Sequence, residues 1–474
     1  MNNRQSSDTR PNHQAVASEF EIKTTTKAIA IRFTNQRLSA HAGSATFWGW
    51  LRTHHWAEQL AGVLPHLLPR SNNHLLPVEK ALAFMHGLLC DARKLTQVAY
   101  FRRDPVVPEL VGIRRVASQS ALSRFFQGFW SAGTNLRCFR PLWYWAMNQL
   151  PSAKDGYTLD LDSTRLLHEG KDQQGVSVGY TKGGLKRCLH PLLAVLADVR
   201  LVAQLWLRPG SAACSTNAVA FFLELWDNLP RHVRLRCVRA DAGFCVPELL
   251  TLWEGLALAY VVAAPLSFPI QRLIKKGLRW HTTEVAGIEV AELELQCKSW
   301  PHPRRLVLIR HELDDSEDPR YGKKLLDVPG YRFQALVTSL SGQTHSPMAV
   351  WSYYNDRADC ENVIRELREG FALPTLCLNQ FWPTEAALSL AALTYNLTVL
   401  FQRHLGWQKK VTIHTLRFWL FITAGILSYP RGKTTIKLAI PQRERAWWQR
   451  LWEKITSPLP NCNAVENRPV FTAR

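Results

Sequence analysis

Four acidic positions are set apart by their neighbours. Asp160 and Asp162 fall two residues apart in Tyr-Thr-Leu-Asp-Leu-Asp, residues 157–162. On a strand that spacing puts Leu159 and Leu161 on one face and both acids on the other. Two carboxylates sharing a face are costly to bury unless they bind a cation or accept hydrogen bonds. Asp241 ends the strand-like run Arg-Leu-Arg-Cys-Val-Arg-Ala-Asp and precedes Ala242-Gly243-Phe244, a turn that glycine allows to bend tightly. Glu361 lies in a helical stretch, residues 353–371. At 100° per residue, Tyr354, Arg357, Glu361, Arg365 and Arg368 fall within an arc of about 80°. On the same wheel Cys360, Val363, Ile364 and Leu367 form the stripe that would bury this helix against a sheet. An exposed helix would pair Arg357 and Arg365 with Glu361 for a few tenths of a kcal/mol. Hard carboxylate oxygens, however, suit Mg²⁺, and arginine suits phosphate.

The elements that would position these acids follow from the apolar pattern. Residues 1–150 read as an N-terminal helical region, with apolar residues at three- and four-residue intervals and Pro65, Pro69 and Pro77 as punctuation. Within it, Ser118 or Ser120 caps a helix whose exposed side carries Gln119, Ser123 and Arg124, groups able to meet DNA. From residue 156 three strands follow one another (157–162, 189–197 and 201–207), then a helix at 218–229, a strand at 233–239, a helix at 246–255 and a strand at 257–264. This β-β-β-α-β-α-β succession is that of a ribonuclease H-like domain, in which the first and fourth strands are neighbours and Asp162 would face Asp241. The expected architecture is α/β: a first part of the core at 151–269, a β-rich insertion at 270–345, the glutamate helix and its successor at 346–400, and a basic helical C-terminal tail at 401–474. The acids Glu312, Asp314, Asp315, Glu317 and Asp318 read as a solvated loop in the insertion.

Across 474 residues, 58 Lys plus Arg stand against 38 Asp plus Glu, a net charge of +20. That surplus favours a polyanionic partner. The last stretch, 401–474, contributes half of it, with Trp447, Trp448 and Trp452 interleaved among Arg443, Arg445, Arg450 and Lys454; it suits either a phosphate-tracking helix or an amphipathic packing helix. The apolar stretches 256–268, 385–401 and 418–427 are short or interrupted and read as buried core, so no membrane is expected. The polar start lacks a secretory pattern, which predicts a cytoplasmic, nucleoid-associated protein. Ten scattered cysteines show no zinc spacing and read as reduced thiols.

The Tyr354-x2-Arg357-x3-Glu361-x6-Arg368 spacing resembles the Tyr-Arg-Glu-Lys signature of bacterial insertion-sequence transposases of the DDE type. Asp162-Ser-Thr and Arg239-Ala-Asp241-Ala-Gly-Phe resemble their two aspartate motifs. The resemblance runs from about residue 30 to 430, with Arg368 where the signature has Lys. The acids lie 79 and 120 residues apart, the second gap widened by the β-rich insertion, as in this subgroup. The resemblance implies a transposase that binds the terminal inverted repeats of its own element and performs DNA cleavage and strand transfer by phosphoryl transfer with two Mg²⁺ ions, Mn²⁺ being able to substitute. It implies Asp162, Asp241 and Glu361 as metal-binding catalytic residues, with Asp162 bridging the ions. It also tips the first position to Asp162 over Asp160, because the acid directly precedes the Ser/Thr pair. Tyr354, Arg357, Arg365 and Arg368 would contact DNA, and Lys182, Lys186, Arg187 and Arg124 would extend that contact. Trp280 and Trp300 could stack on bases, with packing roles favoured for both. The partners implied are double-stranded DNA, as element ends and target, and a second copy of the chain in a homodimeric complex on DNA. A structure-specific nuclease of the same fold and a catalytically inactive DNA-binding relative are the alternatives.

Overall fold

The computed structural model describes residues 19–23, 25–66, 74–170, 172–181, 183–313, 322–407 and 409–457. Lys182, the acids Asp314, Asp315, Glu317 and Asp318, and the chain before residue 19 and after residue 457 lie outside the described residues.

Helices α1 (Ala45–Thr53), α2 (Pro77–Leu89), α3 (Gln119–Gln127) and α4 (Ala132–Asn148) build the N-terminal region. Their starts follow capping chemistry. Pro77 opens α2, and the Glu79 carboxylate accepts from the Leu76 amide at 2.7 Å. Ser118 Oγ and Ser131 Oγ accept from Ala121 N and Thr134 N, each at 3.2 Å, at the starts of α3 and α4. Phe84, Phe125 and Phe126 meet in the core between them.

The centre is a ten-stranded mixed sheet. Strands β1 (Tyr157–Ser163), β2 (Leu192–Leu196) and β3 (Leu201–Trp206) are antiparallel neighbours. After helix α5 (Ala218–Asp227), strand β4 (Leu235–Ala240) runs parallel to β1 on its other side. Helix α6 (Pro247–Gly255) then leads to β5 (Ala259–Ala264), parallel to β4. Strands β6 (Ile288–Leu295), β7 (Arg304–Glu312) and β8 (Val328–Thr338) continue the sheet antiparallel beyond β5. The order is thus β6-β7-β8-β5-β4-β1-β2-β3, with His281–Thr282 beside β6 and Lys323–Leu325 beside β8. The β-rich stretch 270–345 is therefore an extension of the central sheet and not a separate layer. Trp280 packs on Arg310 and Phe333, and Trp300 lies over Arg304.

Three expectations about elements need correction. The strand expected over 189–197 is present but shorter, as β2 (Leu192–Leu196); Leu189 instead ends the strand Gly184–Leu189, which pairs with Ser177–Thr181 in a separate three-stranded sheet and is parted from β2 at His190-Pro191. Proline has no amide proton for a ladder, so the break falls where the sequence requires it. The helix expected through residues 353–371 is two, α7 (Pro347–Asn355) and α8 (Ala358–Gly370). At the junction Arg357 N bonds to Tyr354 O and Cys360 N to Arg357 O, a tight i to i+3 pattern.

The third correction concerns the C-terminal region, which is not a helical tail. It contains strands Gly425–Ser428 and Thr435–Leu438, the first of them pairing with Leu38–Ser39, and the last element among its described residues is α10 (Arg445–Thr456). Trp448, Leu451 and Ile455 of α10 are buried, and a Cβ on Gly49 of α1 would stand 3.1 Å from the Trp452 ring. The packing helix is the arrangement adopted. Phe418, Trp419 and Ile422, read as core, are exposed.

Helix α9 (Phe381–His404) is long and apolar enough to span a membrane by length alone, yet its apolar window is entirely buried in the fold. Its polar side chains close the edge of the sheet. Asn396 accepts from Val202 N at 2.9 Å and donates to Val202 O at 2.6 Å, satisfying an edge-strand residue that has no further neighbour strand. Glu385 accepts from Leu207 N at 2.8 Å and from Asn135 Nδ2 at 2.9 Å.

Burial pushes the Glu385 carboxyl up to about 7 against a usual 4.5, with its hydrogen bonds opposing. Raised in the folded state, this acid weakens the fold as pH climbs from 4.5 to about 7 and carries its full cost above that. The stability of Glu385→Gln relative to wild type is therefore expected to improve by roughly 2 kcal/mol between pH 5 and pH 8. Urea midpoints at the two pH values measure it, and a pH-independent difference would contradict it.

Candidate active site

The site is built on β1 and β4, whose parallel pairing sets Asp160 directly beside Arg239. Arg239 Nε and Nη2 donate to the two carboxylate oxygens of Asp160 at 2.7 and 2.9 Å, and its Nη1 donates to Tyr353 O at 2.6 Å. Both side chains are buried. Burial alone would lower the Arg239 guanidinium, but its bonds to Asp160 reverse this and hold it above its usual range. Both oxygens of Asp160 are thereby occupied within the fold. The sequence-level pairing of Asp160 with Asp162 on one face is correct, and their environments differ completely.

Asp162, one register step beyond, is 9% exposed. Its Oδ1 accepts from the following Ser163 amide at 2.7 Å, and its Oδ2 lies 2.8 Å from Arg357 Nη2. Burial pushes its carboxyl up to about 6; Arg357 opposes this, while Asp241 and Glu361 add to it. Asp241 directly follows β4 and caps the turn Ala242–Phe244, accepting from Gly243 N at 3.0 Å. Gly243 is required there, since a Cβ would stand 2.6 Å from that of Cys214.

Glu361 sits in the first turn of α8, largely exposed, 3.8 Å from Arg357 Nη1. The predicted stripe Cys360, Val363, Ile364 and Leu367 is buried. Asp359 pairs with Arg200 at 2.8 Å, and Glu366 accepts from Ile413 N at 2.8 Å while pairing with Lys410. These contacts fix the helix on both sides of Glu361.

Asp241 and Glu361 thus lie close enough to act on Asp162 electrostatically, and all three act on Tyr354. Among the described residues no three side chains of metal-ligand type converge tightly enough to hold an ion; the Arg357 guanidinium stands against Asp162 instead. Arg365 is exposed and donates to Asn362 at 2.8 Å. Arg368 is exposed on the last turn of α8, and Arg124 is exposed on α3. Lys186 and Arg187 lie on the Gly184–Leu189 strand of the smaller sheet. None of these five forms an ion pair with the three acids.

Sequence reasoning missed a polar node behind Asp162. His190 Nδ1 is 2.8 Å from Ala212 O and its Nε2 is 2.9 Å from Ser163 Oγ. Burial lowers the imidazole to about 4, so the neutral ring donates from Nδ1 to the carbonyl and accepts the Ser163 hydroxyl at Nε2. Arg208 donates to His190 O at 3.1 Å and to three carbonyls of residues 213–216. Only the break at His190-Pro191, a turn with no polar spacing of its own, could have signalled it.

The family model described as transposase DDE domain group 1 matches residues 22–460. No curated protein matches the chain. Among solved structures it is similar to the piggyBac transposase in its synaptic complex with hairpin DNA, seen by cryo-electron microscopy. That similarity has 12% identity and a TM-score of 0.42, and covers 91% of this chain and 90% of the other.

Proposed function

The chain belongs to the transposase DDE domain group 1 family, and from that premise we propose an insertion-sequence transposase of the Tyr-Arg-Glu-Lys kind. It binds the terminal inverted repeats of its element, cuts DNA there and joins the 3′-hydroxyl ends to a target. The strand order, with β1, β4 and β5 parallel and β2 and β3 antiparallel, supports reading the core as ribonuclease H-like. The observation that carries the reading is the surroundings of Asp162: a buried carboxyl destabilised by two further acids and met by one arginine.

That donor set fits hard divalent cations, since it offers carboxylate oxygens and its mutual repulsion calls for positive charge. Asp162, Asp241 and Glu361 would hold Mg²⁺, or Mn²⁺ in its place, once Arg357 leaves Asp162. When bound, such ions would supply Lewis-acid stabilisation to the attacking and leaving oxygens. Asp160, with both oxygens on Arg239, is left to hold β1 against β4. Arg357 and Arg368 would grip phosphates near the scissile bond and Tyr354 would bond to a phosphate or stack on a base. Arg365, Lys182, Lys186, Arg187 and Arg124 would extend the DNA track, with a salt-sensitive contribution to affinity. Strand transfer needs two ends together, so the working form is a homodimer on DNA, in the cytoplasm at the nucleoid.

The test is incubation of the full chain with Mg²⁺ and linear DNA carrying the sequences that flank its gene. Cutting at the ends followed by joined products is the expected result, and chelation should abolish both. Cutting without joining would favour the nuclease reading, and neither activity would favour the inactive relative.

A further inference from the structure

We infer that Arg357 is a built-in counterion, which occupies Asp162 in the free protein and is drawn off by DNA phosphate, so that divalent-cation binding and DNA binding favour one another. The inference rests on the reading of Asp162, Asp241 and Glu361 as cation ligands. Arg357 is 7% exposed and lies 2.8 Å from Asp162 and 3.8 Å from Glu361. It is the cation paired with two of the three acids, standing where charge neutralisation is needed.

The way Arg357 is held differs from that of the buried Arg239, Arg417 and Arg208. Arg239 places Nε, Nη1 and Nη2 on Asp160 and on a carbonyl. Arg417 donates to the carbonyls of Leu88, Leu89 and Gly370 and to Asp91. Arg208 binds four carbonyls. All three donate to backbone carbonyls. Arg357, by contrast, is held by its ion pairs with Asp162 and Glu361, and its buried Nε has no hydrogen-bond partner. Its backbone lies in the tight turn between α7 and α8, not within a helix interior, so a change there does not require breaking a run of helical bonds.

The physical consequence is competition. A guanidinium cannot lose its proton to make way, so a cation reaching Asp162 must displace Arg357 bodily. A DNA phosphate offers that fork two oxygens in bidentate geometry, whereas Asp162, with its Oδ1 on the Ser163 amide, meets it through Oδ2. Phosphate binding therefore uncovers Asp162, and cation binding at Asp162 releases Arg357 toward phosphate. Linkage requires the two effects to be equal. Charge placement of this kind would keep cation occupancy low until DNA is bound.

Mn²⁺ titrated into the full chain, with free Mn²⁺ followed by its paramagnetic resonance signal, tests this without any reading of activity. Arg357→Gln should bind Mn²⁺ about tenfold more tightly than wild type in the absence of DNA. A short DNA duplex should tighten Mn²⁺ binding to wild type and leave Arg357→Gln unchanged. Arg357→Lys, which keeps the charge and loses the fork, should bind Mn²⁺ as weakly as wild type and lose most of the DNA effect. Equal or weaker Mn²⁺ binding by Arg357→Gln, or a wild-type affinity indifferent to DNA, overturns the counterion inference. Asp162→Asn separates the premise: if it binds Mn²⁺ as wild type does, the assignment of the acids fails, whatever Arg357 does.

Discussion

Glu361→Gln is expected to lower DNA cleavage roughly 10³-fold, about 4 kcal/mol of barrier, while leaving the fold intact. The two halves of this expectation come from different observations. Glu361 is largely exposed in the first turn of α8, and its single close partner, Arg357, is already paired with Asp162. Its charge contributes little to folding: Glu361 itself is exposed and stands 3.8 Å from Arg357, and an i, i+4 pair of this kind is worth a few tenths of a kcal/mol. Glutamine keeps the length and helix propensity of the side chain. Thermal and urea midpoints should therefore stay within about 0.5 kcal/mol of wild type. Cation binding, however, uses the carboxylate charge, and an amide oxygen is a weaker hard ligand. Retention of a labelled element end on gels should persist, because the arginines are untouched. Cleavage at the wild-type rate would remove Glu361 from the site; a large loss of stability would mean that it is a structural residue of α8.

How much of this could be read from residues alone depends on the range of the physics involved. Alternation in 157–162 and the three- and four-residue spacing in 358–370 are local signals, and β1 and the buried face of α8 are found where those signals put them. The separation of Asp160 from Asp162 was not legible. It depends on Arg239 lying opposite Asp160 in a parallel register, a long-range pairing that no spacing within 157–162 encodes. Nor was the break at Asp356-Arg357, because the wheel continues smoothly through it; the chain turns there while still leaving Arg357 beside Glu361. The strands of the C-terminal region were missed for a related reason. Of the two helix readings offered, the packing helix is found against α1, but Leu38–Ser39, nearly 400 residues earlier, supplies a strand partner that no local spacing encodes. Asn396 and Glu385 show the same limit from the other side: polar residues in an apolar helix look like blemishes until an unpaired sheet edge stands beside them.

The largest stability effect is expected at Arg239. Arg239→Met removes the partner of a carboxylate that is fully buried, and leaving one member of a buried pair alone costs about 3–5 kcal/mol. The usual value of such a pair is small, because desolvation of both ions offsets their attraction; what is large is the cost of breaking it. Here the loss has further components, since Tyr353 O loses a donor at 2.6 Å and the Tyr353 ring loses the guanidinium 5.0 Å from its centre. Burial already drives the Asp160 carboxyl upward with Arg239 present, and without that counterion the acid would take up a proton more readily still. The Arg239→Met protein should therefore be least handicapped at acidic pH. Replacing both residues, Asp160→Leu with Arg239→Met, should restore at least half of the lost stability, because the uncompensated charge is gone and the volumes remain apolar. Urea unfolding of wild type, both single variants and the double variant closes the cycle. A single-variant loss below about 1 kcal/mol, or a double variant no better than Arg239→Met, would show that the pair does not hold β1 against β4. Because these two strands carry Asp162 and Asp241 at their ends, that result would also remove the main reason for expecting the two acids to keep a fixed separation.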